Sequence, residues 1–202
     1  MTASSDPILK DLHARFGSEI EFVTLYVREA HPGEHRDQAD TAQEKTKAAR
    51  ALKERDDLPW RMVVDDPDGS IHRRLDQKPN AAHLTDRNGT IVFRALWAGD
   101  EKSVSQALEA VASGQRPPEA ESTRRLMPMA RGIGTMREMT RRAGPRAQGD
   151  LWQAAPPMGV MAWLADLYRP LPPAWRTAAA AATLGVGIAA VATLAARAAS
   201  RR

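Results

Sequence analysis

The sequence predicts an α/β fold with a helical carboxyl-terminal extension, on three observations. Residues Ile20–Arg28 read Ile-Glu-Phe-Val-Thr-Leu-Tyr-Val-Arg, nearly unbroken in β-branched, aliphatic and aromatic side chains. Without a strict in/out alternation, such a run predicts a strand covered on both faces, inside a parallel sheet. Helical and strand-like segments then alternate along the first 113 residues, the pattern of a sheet flanked by helices. Finally, composition breaks near Gly114. Residues 1–113 hold 16 Lys and Arg against 20 Asp and Glu, whereas residues 114–202 hold 13 against 5 and no Lys. The basic character of the 202-residue chain, net +4, therefore belongs to its tail.

Each element has its own signal. Ser5-Asp6-Pro7 reads as a helix start, a capping hydroxyl with Pro in the first turn. Ile8, Leu9, Leu12 and Phe16 recur at helical spacing up to Gly17. The strand from Ile20 has to leave the sheet at Pro32-Gly33. His31 and His35 lie four apart, a spacing that offers two metal ligands on a helix, but Pro32-Gly33 between them breaks that helix, so no metal site is expected. Thr41–Arg55, rich in Ala, Lys, Glu and Gln, predicts a helix with Ala42, Ala49 and Leu52 inward and a solvated charged face. Met62–Val64 predicts a short buried strand. Asp65-Asp66-Pro67-Asp68-Gly69 carries three carboxylates without the spacing of a calcium loop, which leaves a turn into a helix at Ser70–Leu75. Lys78-Pro79-Asn80 opens a strand at Ala81–Thr85, Asp86-Arg87-Asn88-Gly89 signals a hairpin, and Thr90–Trp97 returns. Asp100–Ala112 closes the unit as a helix with Val104, Leu108 and Val111 inward.

Glu29 and His31 stand two apart near the strand's end, so their side chains share a side if strand geometry persists. The carboxyl ends of parallel strands are where α/β sheets hold ligands; a solvated corner is the ordinary alternative. The segment Tyr26-Val27-Arg28-Glu29-Ala30-His31-Pro32 resembles the Tyr-Ile-x-Glu-Ala-His segment of the iodothyronine deiodinase family and its bacterial relatives, and the similarity runs from about Pro7 to Ala112. The resemblance implies a thioredoxin-like fold of the peroxiredoxin type, three-layer α/β/α, with reductive dehalogenation or thiol-dependent redox chemistry. It implies that His31 donates or accepts a proton at the reacting centre and that Glu29 orients the imidazole. It marks Pro79 as a candidate cis-proline bordering the substrate site. No cofactor is implied, and the partners would be a thiol reductant or a small-molecule substrate. After Pro32 the vertebrate pattern continues Asp-Gly-Trp, whereas Gly33-Glu34-His35 stand here, which puts the iodothyronine substrate itself in doubt.

Cysteine is absent, so no disulfide, thiol nucleophile or Cys-ligated metal can form within the chain. In the resembled family one more strand precedes the helix matching Pro7–Phe16, lies mid-sheet between the strands matching Ile20–Arg28 and Ala81–Thr85, and leads into the turn bearing Cys or selenocysteine. The expectation is therefore an amino-terminally shortened frame, without its first strand and inactive in redox chemistry as written. The alternative is a non-enzymatic, membrane-tethered binding module on the same frame.

Residues 114–176 predict an Arg- and Met-rich helical linker region, which opens on a Pro- and Glu-containing linker at Gln115–Ser122. Leu126, Met129, Ile133 and Met136 make one apolar face, weakened by Gly132 and Gly134, and seven arginines from Arg124 to Arg146 surround it. Nothing aromatic interleaves that basic stripe, which disfavours nucleic acid and points to anionic lipid headgroups. Met158–Tyr168 is a second apolar segment, ended by Pro170, Pro172 and Pro173. Thr177–Ala196 then runs 20 residues without a charge between Arg176 and Arg197. As a helix it is about 30 Å long, the thickness of a bilayer's hydrocarbon core. A single carboxyl-terminal span with the folded domain in the cytoplasm is expected. An Ala-rich helix packed on the domain is the competing expectation.

Overall fold

In the computed structural model, residues 5–29, 32–35, 38–75, 77–78 and 80–200 are described. The elements follow in the order α1 (Asp6–Phe16), β1 (Val23–Tyr26), α2 (Ala42–Arg55), β2 (Arg61–Val64), α3 (Ser70–Arg74), β3 (Ala82–Thr85), β4 (Ile91–Ala95), α4 (Glu101–Ala112) and β5 (Glu121–Ser122). Four helices complete the chain: α5 (Leu126–Ala143), α6 (Pro145–Ala154), α7 (Pro156–Leu167) and α8 (Pro173–Ala199). The chain is thus mixed α/β with a helical carboxyl-terminal region.

The strands form two small sheets. β1 pairs in parallel with β2, from Val23 opposite Arg61 to Tyr26 opposite Val64. β3 pairs antiparallel with β4, and β5 adds to the other side of β4 in parallel. The expectation that the first strand is covered on both faces is corrected: β1 has one strand neighbour, and Val23 is 45% exposed. The stretch Gln115–Ser122, expected as a linker, ends in β5 and widens the second sheet.

Each sheet carries its own apolar cluster. Ile8, Leu12 and Phe16 of α1 meet Phe93 and Ala95 of β4 and Val104, Ala107 and Leu108 of α4. This follows from the helical spacing of those side chains on α1 and α4. A smaller cluster joins Tyr26 of β1 to Ala49 and Leu52 of α2, with Met62 and Val64 of β2 beside it. His13, Phe22 and Trp60 stack at centroid distances of 5.2 to 5.9 Å where α1 crosses the start of β1 and β2.

Local polar chemistry sets the boundaries. The amide of Glu44 donates to the Thr41 hydroxyl and the Thr41 amide to the Glu44 carboxylate, a reciprocal cap that starts α2. Ser5 forms no such cap, contrary to expectation. Its backbone is already helical, at φ −99° and ψ −24°, so the hydroxyl is not aimed back at the first turn's amides. The hairpin signal does form a turn. The Asp86 carboxylate accepts from the amides of Asn88 and Thr90, and Gly89 takes a φ of +80°.

Asp65 ends β2 and is fully buried. Its carboxylate accepts the amides of Asp66, Ile71 and His72, each at 3.0 Å, and so holds the start of α3. Lys45, also fully buried, donates from Nζ to the Asp66 carbonyl at 2.5 Å. The carboxylates after β2 thus organise a turn. We expect Asp65→Ala to cost about 2–4 kcal/mol, because three half-buried amides lose one charged acceptor together and the buried Lys45 loses a nearby negative charge. A fall in the urea midpoint checks this; an unchanged midpoint would contradict it.

Candidate functional site

Between the two sheets lies a cleft of about 460 Å³. One wall is Ile20–Glu29, every residue in succession, and the opposite wall is Asn80–Leu84, again consecutive. Side chains alternate sides along a strand. A wall built from consecutive residues is therefore largely backbone edge. β1 and β3 each spend one edge on a neighbour, and their other edges face this space. Leu9, Phe93, Val104 and Leu108 line it from the cluster around β4, Leu52 and Trp60 from the side of the β1–β2 sheet, and Met139, Arg142 and Ala143 of α5 border it as well.

Ionisable groups gather beyond Tyr26, where β1 ends. The Tyr26 hydroxyl donates to Glu29 Oε1 at 2.7 Å. Burial, then the carboxylate it serves, hold that hydroxyl well above its ordinary range. Arg55, at the end of α2, grips Asp56 with Nε–Oδ1 at 2.7 Å and Nη2–Oδ2 at 2.5 Å. That bond holds its guanidinium more firmly protonated, and Glu29 and Asp6 add to the effect from farther off. Asp6, in the first turn of α1, is buried, and its carboxyl is raised to about 6. Desolvation is the main cause and the nearby Asp56 charge the second, while Arg55 and Lys10 pull the other way. Asp6 itself does not line the cleft, but its neighbour Ser5 and its charge partner Arg55 do; a buried carboxyl titrating near neutrality behind such a wall can hold or pass a proton.

On the far wall stand Lys78, Asn80 and His83, with His72 of α3 behind them. Among the described residues, Asn80 Nδ2 and His72 Nε2 are buried and meet no hydrogen-bond partner. Asn80 also sits at φ +61°, a backbone conformation that Asn tolerates better than most residues.

Of the residues singled out in the sequence, Glu29 lies on the wall of this cleft. His31 and Pro79 lie outside the described residues. The assumption that strand geometry carries through to Glu29 is corrected, since the ladder stops at Tyr26–Val64. The physical cause is Asp65, which spends its amide on the Tyr26 carbonyl and then turns away to cap α3. Beyond, Gly33 lies so close to the Ala143 carbonyl that a Cβ would overlap it. The Glu34 carboxylate accepts the Arg146 amide at 2.9 and 3.0 Å, and that bond is the main reason its pKa is lowered. The polar stretch after β1 thus caps α6 and clamps the helical region onto the α/β unit. Among the described residues no group of three or more His, Asp or Glu is placed to hold a metal ion.

Asp6 and Arg55 were not legible as site residues. Asp beside Pro at a helix start is ordinary capping chemistry, and Arg55 ends a helix whose sequence reads as presenting its charges to water. Comparison with known protein families, with curated proteins and with solved structures gives no match.

The raised carboxyl has a signed consequence. Folded Asp6 binds its proton more tightly than unfolded Asp6, so its contribution to stability is fully present below about pH 4 and is lost as pH rises through about 6. We expect Asp6→Asn to flatten that part of the stability profile and to stabilise the protein at pH 7.5 by about 1–2 kcal/mol. Thermal unfolding from pH 4 to pH 8 measures it, and a variant that keeps the wild-type slope would refute the assignment.

Proposed function

We propose that this chain is a membrane-tethered binding module on a thioredoxin-like, deiodinase-type frame, and that its ligand enters the cleft between β1 and β3. One observation carries the proposal: an apolar space walled by two strand edges ends at Tyr26, Glu29 and Arg55, and the raised carboxyl of Asp6 lies buried behind them, next in the chain to the lining residue Ser5 and coupled to Arg55. The frame is supported by the resemblance of Tyr26–Pro32 and by the order of helices and strands up to Ala112. The ligand class that fits is a small, largely apolar molecule with one ionisable or hydrogen-bonding end, such as an aromatic phenol. Its body would replace water against Phe93, Leu108 and Trp60, and its polar end would meet Arg55.

The oxidoreductase reading is favoured by the Glu29-Ala30-His31 resemblance, in which His31 moves the proton and Glu29 orients it. Reductive dehalogenation and thiol redox both need a thiolate or selenolate as nucleophile. These 202 residues contain no Cys. In this reading the nucleophile has to come from another polypeptide or a thiol reductant, with the cleft presenting the substrate to it.

Tethering is supported by α8, which is long and apolar enough to cross a membrane and is mostly exposed.

Two measurements test this. The chain, incubated with an iodinated phenol and dithiothreitol, is expected to release no iodide above the buffer rate while quenching tryptophan fluorescence, and Trp60→Phe should remove most of the quenching. Iodide release catalysed by the chain alone would overturn the binding-module reading, and absence of quenching would remove the phenol class. In membrane fractions the chain should stay in the pellet at alkaline pH and leave it only with detergent. Release by alkali or salt alone would sink the tether.

A further inference from the structure

The root of α8 is not free. Gly134 of α5 meets the Pro173 carbonyl so closely that a Cβ would overlap it, and Thr177 donates to the Ala130 carbonyl at 2.7 Å. Four residues back on α5 thus match four residues forward on α8, an antiparallel register. One further turn sets Leu126 level with Ala181. From the other side, the Tyr168 and Thr183 hydroxyls meet at 2.6 Å, so the end of α7 lies at nearly the same height. Beyond that height α8 stands alone. Every residue from Gly185 to Ser200 is exposed, including Val186, Ile188, Val191 and Leu194 at 65–71%. At about 100° per residue these four are spread over roughly 200° of the helix. One partner helix covers a single stripe, whereas lipid covers every side.

The free part is too short for the membrane by itself. From Ala181 to Arg197 a helix rises about 24 Å, against about 30 Å of hydrocarbon. The near boundary of the bilayer therefore has to be met at the docked end of the body. There the structure exposes Leu126 (83%), Met127 (51%) and Leu167 (62%), with Arg124 and Arg125 next to them on the chain and also exposed. The geometry points to a second lipid contact: the end of the helical body formed by Leu126, Met127 and Leu167 seats in the interface of an anionic bilayer, and Arg124 and Arg125 meet its phosphates. Apolar side chains dipping below the headgroups, flanked by guanidinium groups, are what such a surface requires. It presupposes the tethering by α8 proposed above.

Because the chain has no Cys, one introduced cysteine carries a unique label. The full chain bearing Met127→Cys, coupled to an environment-sensitive fluorophore, is floated with vesicles of phosphatidylcholine alone or with a quarter phosphatidylserine. Asn88→Cys, on the hairpin, is the control. The expected result is flotation of both proteins, a blue shift and quenching by brominated lipid at position 127 only, and a stronger shift with phosphatidylserine. Arg124→Gln with Arg125→Gln should lower the anionic-lipid dependence on the order of tenfold. Flotation with the 127 label still in water, or with no dependence on phosphatidylserine, overturns the seat and leaves the tether standing. No flotation at all overturns the tether, and the seat with it.

Discussion

The constraint on which this structure turns is the pairing of backbone groups in β1 and β3. A strand edge that finds no neighbour keeps a row of N–H and C=O groups in need of partners, and burying them unpaired is costly. β1 and β3 use one edge each and present the other to a common cleft. That space has to stay wet or hold something polar at its walls. The division of the sheet also divides the core, into a cluster around Phe93 and Leu108 and one around Tyr26 and Leu52. Neither cluster closes over the cleft, and the pocket follows from that.

Asp65 shows how one buried side chain fixes the functional geometry at a distance. It collects three amides to start α3 and gives its own amide to Tyr26. The β1–β2 ladder can therefore go no further than Val64. Val27–Glu29 leave the sheet, the Glu29 carboxylate folds back onto the Tyr26 hydroxyl, and that carboxylate comes within electrostatic reach of Arg55. A strand two residues longer would have aimed Glu29 elsewhere.

How much of this was legible depends on the range of the interactions involved. Local rules located α1, α2 and α4 and the hairpin at Asp86–Gly89, because capping, helical spacing and turn chemistry act over a few residues. The mixed α/β class followed from their order. Sheet membership did not, since β-branched runs look alike in a central strand and at an edge, and Val23 gave no sign of its exposure. Asp6 was legible as helix-starting chemistry but not as a raised carboxyl, a property set first by burial in the fold and then by the charge of Asp56, fifty residues away. In the helical region, Gly132 and Gly134 looked like weak points of a helix. Gly134 is instead where α8 crosses α5, and the missing side chain is what allows the approach.

The helix α5 links the two proposed surfaces. Its last turns, at Met139, Arg142 and Ala143, border the cleft, and its first residues, Leu126 and Met127, lie at the level where α8 breaks free. Seventeen residues separate Leu126 from Ala143, a rise on the order of 25 Å. With the amino end of α5 at the lipid, that rise sets an upper limit of about 25 Å on the height of the cleft above the headgroups. The clamp of Gly33, Glu34 and His35 on Ala143 and Arg146 keeps the cleft from swinging about that post. In the proposed arrangement a ligand would reach Glu29 and Arg55 from water rather than by sliding out of the bilayer. The membrane's part there would be to concentrate the module at its surface and to fix which way the opening faces.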